Sequence, residues 1–121
     1  MLISRTEDRA EIVANDGSRL RELLHPDRSD CDLPYSLAVA WVDPGGATLP
    51  HRLTEETEVY YIVRGSGTMH VGDEASEVGA GDTVVVPTGA EQWIECTGAE
   101  PLQFLCVVSP PWRAETDVRT G

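Results

Sequence analysis

The chain has 121 residues, enough for one domain and too few for two. Apolar residues make up 40%, which supports a core, yet no run approaches the ~18 apolar residues that cross a bilayer. Nine basic residues against 21 acidic ones give a net charge of −12, a surface that repels phosphate backbones and excludes nucleic acid as a partner.

Residues 1–17 read as an N-terminal arm, MLISRTEDRAEIVANDG, in which 7–14 could form a short helix. The arm carries charges where a secretory signal carries an apolar stretch, so a cytoplasmic protein is expected. Strand signals follow at 18–24, 35–42, 47–53, 57–63, 67–72, 83–87, 91–96 and 102–108. They are separated by HPDRSD, DPGG, RGSG, VGDE, VGAGD, PTGA and TGAEP. Short strands at regular intervals, with no sustained helical period, predict an all-β single domain of the sandwich or barrel type. The tail 109–121 starts with two prolines that stop a strand, and it should wrap the outside or fray. The three cysteines, Cys31, Cys96 and Cys106, lack CxxC spacing, which argues against a disulfide framework or a zinc knuckle.

Alternation assigns faces. Leu49, His51 and Leu53 point together, as do Glu58, Tyr60 and Ile62, and as do Gln92, Ile94 and Cys96. Val59, Tyr61 and Val63 form the other face of 57–63, which suggests a strand covered on both sides, by another sheet or a second subunit. Trp93 and His70 should face outward, and His25, before a proline in a turn, reads as surface. A regular hairpin from 91–96 to 102–108 would set Gln92 opposite Cys106 and Ile94 opposite Phe104.

Two glycine-bounded segments carry a resemblance. Residues 45–65 run Gly45, five residues, His51, Arg52, Leu53, four residues, Glu58, six residues, Gly65. Residues 81–96 run Gly81, five residues, Pro87, Thr88, Gly89, two residues, Gln92, three residues, Cys96. This frame resembles the two motifs of the cupin superfamily, G-x5-H-x-H-x3,4-E-x6-G and G-x5-P-x-G-x2-H-x3-N. The resemblance implies a double-stranded β-helix, a jelly-roll barrel in which the motif residues converge on one metal. Carried over by position, the ligands would be His51, Leu53, Glu58 and Gln92. Leu53 cannot coordinate, and Gln92 offers only a neutral amide oxygen.

The implied metal set is therefore His51, Glu58 and Gln92, with Tyr60, Leu53, Cys106 and Ile94 around a substrate pocket. One imidazole, one carboxylate and one amide oxygen suit a divalent ion such as Mn, Zn, Mg, Ni or Fe rather than copper. No organic cofactor is expected. A facial iron site takes two histidines and a carboxylate, which makes a cupin dioxygenase the weaker reading. The depleted set favours non-redox isomerase, cyclase or lyase chemistry on a small oxygen-rich metabolite. In it Glu58 and His51 act as ligands or, without metal, as an acid–base pair. The alternative is a metal-free cupin that binds or senses a small-molecule ligand. Both readings expect a homodimer, formed through the apolar outer face or by exchange of the strand 18–24.

Overall fold

Runs of β-branched and aromatic residues cut by glycine and proline make eleven strands in the computed structural model, which describes residues 1–121. They are β1 (Glu11–Val13), β2 (Arg19–Leu24), β3 (Ser36–Val42), β4 (His51–Leu53), β5 (Thr57–Arg64) and β6 (Ser66–Val71). Then come β7 (Glu74–Gly79), β8 (Thr83–Val86), β9 (Gln92–Cys96), β10 (Leu102–Ser109) and β11 (Asp117–Arg119). A six-stranded sheet has the order β1-β2-β3-β10-β5-β8, and a five-stranded sheet the order β11-β4-β9-β6-β7. From β4 onward the chain passes back and forth between the two sheets. This is the expected double-stranded β-helix.

The inward faces close on Ala40, Val42, Tyr60, Ile62, Met69, Val86, Ile94, Cys96, Leu102, Phe104 and Cys106. The Tyr60 and Phe104 rings stack at 5.0 Å across neighbouring strands. The glycine that ends the first motif has a mechanical reason. Gly65 turns the chain at φ +87°, and a Cβ there would lie 2.8 Å from the Pro101 carbonyl oxygen.

Several expectations are corrected. Residues 7–14 are not a helix: a 3-10 turn at Thr6–Asp8 leads into β1, which pairs with β2. Of 47–53, only His51–Leu53 is regular strand, with Ala47 making an isolated bridge to Glu95. Strands β9 and β10 are not a hairpin, because they enter different sheets. Gln92 sits opposite His51 and Val71, while Cys106 sits opposite Ala38 and Tyr60. The outer face of β5 is open in the monomer, with Tyr61 and Val63 exposed. Of the two expectations for the tail, wrapping holds and fraying does not: 117–119 pairs with β4 as β11. His25 is buried. Its Nδ1 accepts from the Asp27 amide, which leaves Nε2–H to donate to the Trp112 carbonyl at 2.7 Å and tie down the start of the tail. Trp93 and His70 do share the outer face of their sheet, with rings stacked at 3.6 Å.

Candidate functional site

A cavity of about 270 Å³ lies between the sheets, bounded by the first three strands, by β4, β5 and β10, and by the tail. Its walls are mostly apolar, and into it project Asp16, His51, Glu58, Cys106 and Asp117. Phe104 belongs to both the core and the cavity wall, so the packed interior fixes one side of the site.

His51 opens β4 and is fixed by long-range partners. Its Cα is in register with Gln92 on one side and Arg119 on the other. Its Nδ1 lies 2.9 Å from Asp117 Oδ1. That carboxylate is itself held, by Asn15 Nδ2 at 3.0 Å on Oδ1 and by Trp112 Nε1 at 2.9 Å on Oδ2. Burial pushes the Asp117 carboxyl up, but hydrogen bonds from His51, Trp112 and Asn15 outweigh it and leave its pKa below the ordinary value. Burial likewise disfavours charged His51. The Asp117 hydrogen bond and the charges of Asp16, Asp117 and Glu58 prevail and raise the imidazole pKa. A carboxylate on Nδ1 selects the tautomer whose Nε2 faces the cavity as a lone pair, or as a donor once protonated. That Nε2 is buried and has no hydrogen-bond partner. The nearest acidic atom is Asp16 Oδ2, at 3.8 Å.

Glu58, on the inward face of β5, is buried with no basic side chain beside it except His51. Burial raises its pKa to about 7, against the pull of His51 and with the push of Asp16. Neither Arg52 nor Arg64 pairs with it. Burial and the Glu58 charge push the Tyr60 hydroxyl and the Cys106 thiol well above their ordinary values, so both stay protonated and the thiol is unreactive.

The expected site residues separate into two groups. His51, Leu53, Glu58 and Cys106 line the cavity. Gln92, Tyr60 and Ile94 lie behind it, close to fully buried. The Tyr60 hydroxyl donates to Gln92 Oε1 at 2.5 Å, and Gln92 Nε2 is left buried without a partner. The amide and the Cys106 thiol favour ionised Glu58 but complete no regular hydrogen bond with it.

A resident metal does not fit these residues. Leu53 is carbon only, and the Gln92 oxygen is engaged by Tyr60, which leaves its NH₂ end free. Of the four inherited positions only His51 and Glu58 remain as donors, and no three His, Cys, Asp or Glu side chains converge as a cage. Besides Glu22, which pairs with Arg28 at 2.6 Å, the cavity gains two carboxylates absent from the motif frame, Asp16 and Asp117. Both escaped the sequence reading, Asp16 because it lies in the turn before β2 and Asp117 because it lies in the tail. The one available signal was the tail's Trp112 and its alternating TDVR segment, which could have been read as a strand.

Residues 39–108 match the cupin domain family model. An uncharacterised protein of Methanocaldococcus jannaschii is 41% identical over 103 residues, which cover 85% of this chain and 82% of that one. An oxalate-binding protein of Thermotoga maritima is 35% identical over 65 residues, 54% of each chain. The crystal structure of a predicted oxalate decarboxylase of Thermotoga maritima superposes with a TM-score of 0.78 at 25% identity, covering 90% of this chain and 99% of that one. With more than half its length matched and the barrel in place, the chain belongs to the cupin family.

Proposed function

We propose that this cupin catalyses a metal-independent proton transfer, of the isomerase, cyclase or lyase type, on a small oxygen-rich metabolite. One observation carries the reading. His51, oriented by Asp117, shares a cavity with Glu58, whose pKa is about 7, so a base and an acid coexist near neutrality. His51 Nε2 takes a proton from the carbon beside a carbonyl. Protonated Glu58 gives one to the carbonyl oxygen, forming an enol. In an α-hydroxy ketone the imidazolium then protonates the former carbonyl carbon while the α-hydroxyl returns its proton to Glu58, giving the isomer. In a β-hydroxy ketone the imidazolium protonates the departing β-hydroxyl as water while the enol hydroxyl returns its proton to Glu58, giving the enone. The Asp117 carboxylate stabilises the imidazolium formed on the way. Cys106 and Tyr60, held protonated, shape the site without exchanging protons.

The test is incubation in D₂O with a panel of uncharged hydroxy-ketones and lactones, followed by proton NMR. Protein-dependent exchange at the carbon next to the carbonyl is expected. It should fall about 10²-fold or more in His51→Ala and Glu58→Gln. Folded variants that exchange at the wild-type rate refute the reading.

A second reading, ligand binding without turnover, draws on the relative named an oxalate-binding protein. An oxalate dianion would meet Asp16, Glu58 and Asp117 here, with no Lys or Arg on the cavity wall. Binding without exchange of any substrate in the panel would favour this role. For oxygen activation the donor set gives no support, because a single histidine lines the cavity.

We also propose that two copies pair through the outer face of β5 and β8, where Tyr61, Val63 and Val85 are exposed. No helix is long and apolar enough to cross a membrane.

A further inference from the structure

Beyond the reacting pair, one acceptor in the cavity has no task inside the protein. Asp16 is nearly buried, and its Oδ1 is saturated by the Ser18 amide at 3.0 Å and the Ser18 hydroxyl at 2.7 Å. Those two bonds fix the carboxylate plane in a side-chain turn. Its Oδ2 makes no hydrogen bond and faces His51 Nε2 at 3.8 Å, too far for a direct bond. His51 is itself about 95% buried (5% exposed), and that Nε2 is without a partner. Two fixed, unsatisfied groups therefore face one point in the cavity, and an oxygen there could sit about 2.8 Å from both. Asp117 offers no such opening, because His51, Asn15 and Trp112 occupy its oxygens.

The charge of the wall narrows the ligand further. Four acidic residues, Asp16, Glu22, Glu58 and Asp117, line the cavity; Glu22 is neutralised by Arg28 from outside it, and among the lining residues His51 alone can carry positive charge. An anionic head would be placed beside Asp16 without a counter-charge. The rest of the wall, including Leu20, Leu53, Phe104 and Val108, suits a hydrocarbon body. At about 270 Å³ the space admits a small molecule only.

We propose that Asp16 is a specificity residue, and that the cavity takes an uncharged ligand with an apolar body whose hydroxyl bridges His51 Nε2 and Asp16 Oδ2. With His51 protonated on both nitrogens, the hydroxyl accepts from Nε2–H and donates to Asp16 Oδ2, so both groups are completed by one atom. The bound alcohol meets His51 as a donor, whereas the proton-transfer reading uses its neutral form. The proposal rests on that reading only for the shared cavity and depends only on binding, so the two can fail separately.

Three probes with one body and different heads test it: cyclohexylmethanol, cyclohexanecarboxylate and cyclohexylmethylamine. Each is titrated into the full chain at pH 7.5, with the His51 Nε2 resonance followed by long-range ¹H–¹⁵N NMR. The alcohol should bind and move that resonance, and the carboxylate should bind at least about tenfold more weakly. In Asp16→Asn, which keeps an acceptor for Ser18, the alcohol should weaken and the carboxylate should gain. A carboxylate that binds wild type as well as the alcohol overturns the proposal, as does an amine that binds tightest or an alcohol that fails to bind. The wild-type ranking needs no variant, so a poorly folded Asp16→Asn does not rescue the idea. Alcohol binding with no deuterium exchange in any substrate would sink the catalytic reading alone.

Discussion

The space between the two sheets has two ends, built from the same strands, that obey opposite rules. Toward one end Ile62, Met69, Ile94, Cys96 and Leu102 close on each other with no charged group among them. Toward the other, Asp16, His51, Glu58 and Asp117 surround a cavity that packing leaves open. Strand β10 passes from one to the other: Leu102 belongs to the packed end, and Cys106 and Val108 to the cavity wall. The dry end holds the strands in register, and the register holds the charged groups in place at the wet end. Buried acids are tolerated there because each is either hydrogen-bonded, as Asp117 is, or has its proton retained, as Glu58 does near neutrality.

The contrast breaks most visibly on truncation at the dry end. Ile94→Ala leaves a closed void and should cost about 2–5 kcal/mol in urea unfolding. Leu53→Ala should fall at or below the bottom of that range, because it widens a cavity that already exists. Equal losses at the two positions would mean that the cavity is packed rather than open.

The pH dependence comes next in size. Glu58 has a folded-state pKa of about 7 against an ordinary value of 4.5. Between those values the folded state keeps a proton that the unfolded chain has released. Stability from this group is therefore full below about 4.5, falls as pH rises, and levels off above about 7. At about 1.4 kcal/mol per pKa unit, the loss is on the order of 3–4 kcal/mol. His51, with a raised pKa, adds to the same trend, since its stabilisation is lost as pH rises through the folded value. Asp117 has a lowered pKa and acts in the opposite sense, losing its stabilisation as the solution is acidified. Glu58→Gln should flatten the decline between pH 5 and pH 8 and gain stability over wild type at the upper end. Parallel curves for variant and wild type would show that Glu58 ionises normally.

A smaller effect on folding separates position from charge at the wet end. Asp117→Asn keeps an acceptor for His51 but removes the negative charge. It should cost about 1–2 kcal/mol in stability, lower the His51 pKa by NMR titration, and slow proton transfer far more than it weakens folding. An unchanged His51 titration would make Asp117 a tail anchor and nothing more. Metal content should stay well below one ion per chain by plasma mass spectrometry. A stoichiometric ion lost in His51→Ala would restore the inherited cupin role and displace the acid–base reading.

What could be read from the sequence follows the range of the interactions involved. The glycine frame was legible because it is local: Gly65 and Gly81, which the spacing marks, hold φ of +87° and +93°, a conformation glycine adopts freely. The inward set Gln92, Ile94 and Cys96 was legible from alternation, and all three are buried. The outer face of β5 marks the limit of the same signal, since alternation shows that a face is apolar and not what covers it. The role of Asp117 could not be read, even though the alternating TDVR segment hints at a strand. Asp117 reaches His51 across 66 residues and Asn15 across 102, through a strand that exists only once the tail has wrapped. Leu53 announced the lost ligand, but nothing in its neighbourhood announced the carboxylates that surround His51 instead.

The outer surface gives the last and mildest test of the comparison, because it asks whether the six-stranded sheet has one working face or two. Val85 is 61% exposed on β8, the free edge of that sheet, and its register partner is Val59. An apolar edge strand with unpaired backbone groups invites a second strand to join it. Val85→Lys touches neither the core nor the cavity, so its effect on the stability of a lone chain should stay within about 0.5 kcal/mol. Light scattering should nevertheless move from twice 13.2 kDa in wild type toward that single-chain mass in the variant. Wild type running as a monomer would leave Tyr61, Val63 and Val85 as solvent-facing residues. The cavity would then be the sheet's one functional face, since the groups that build it all come from within a single chain.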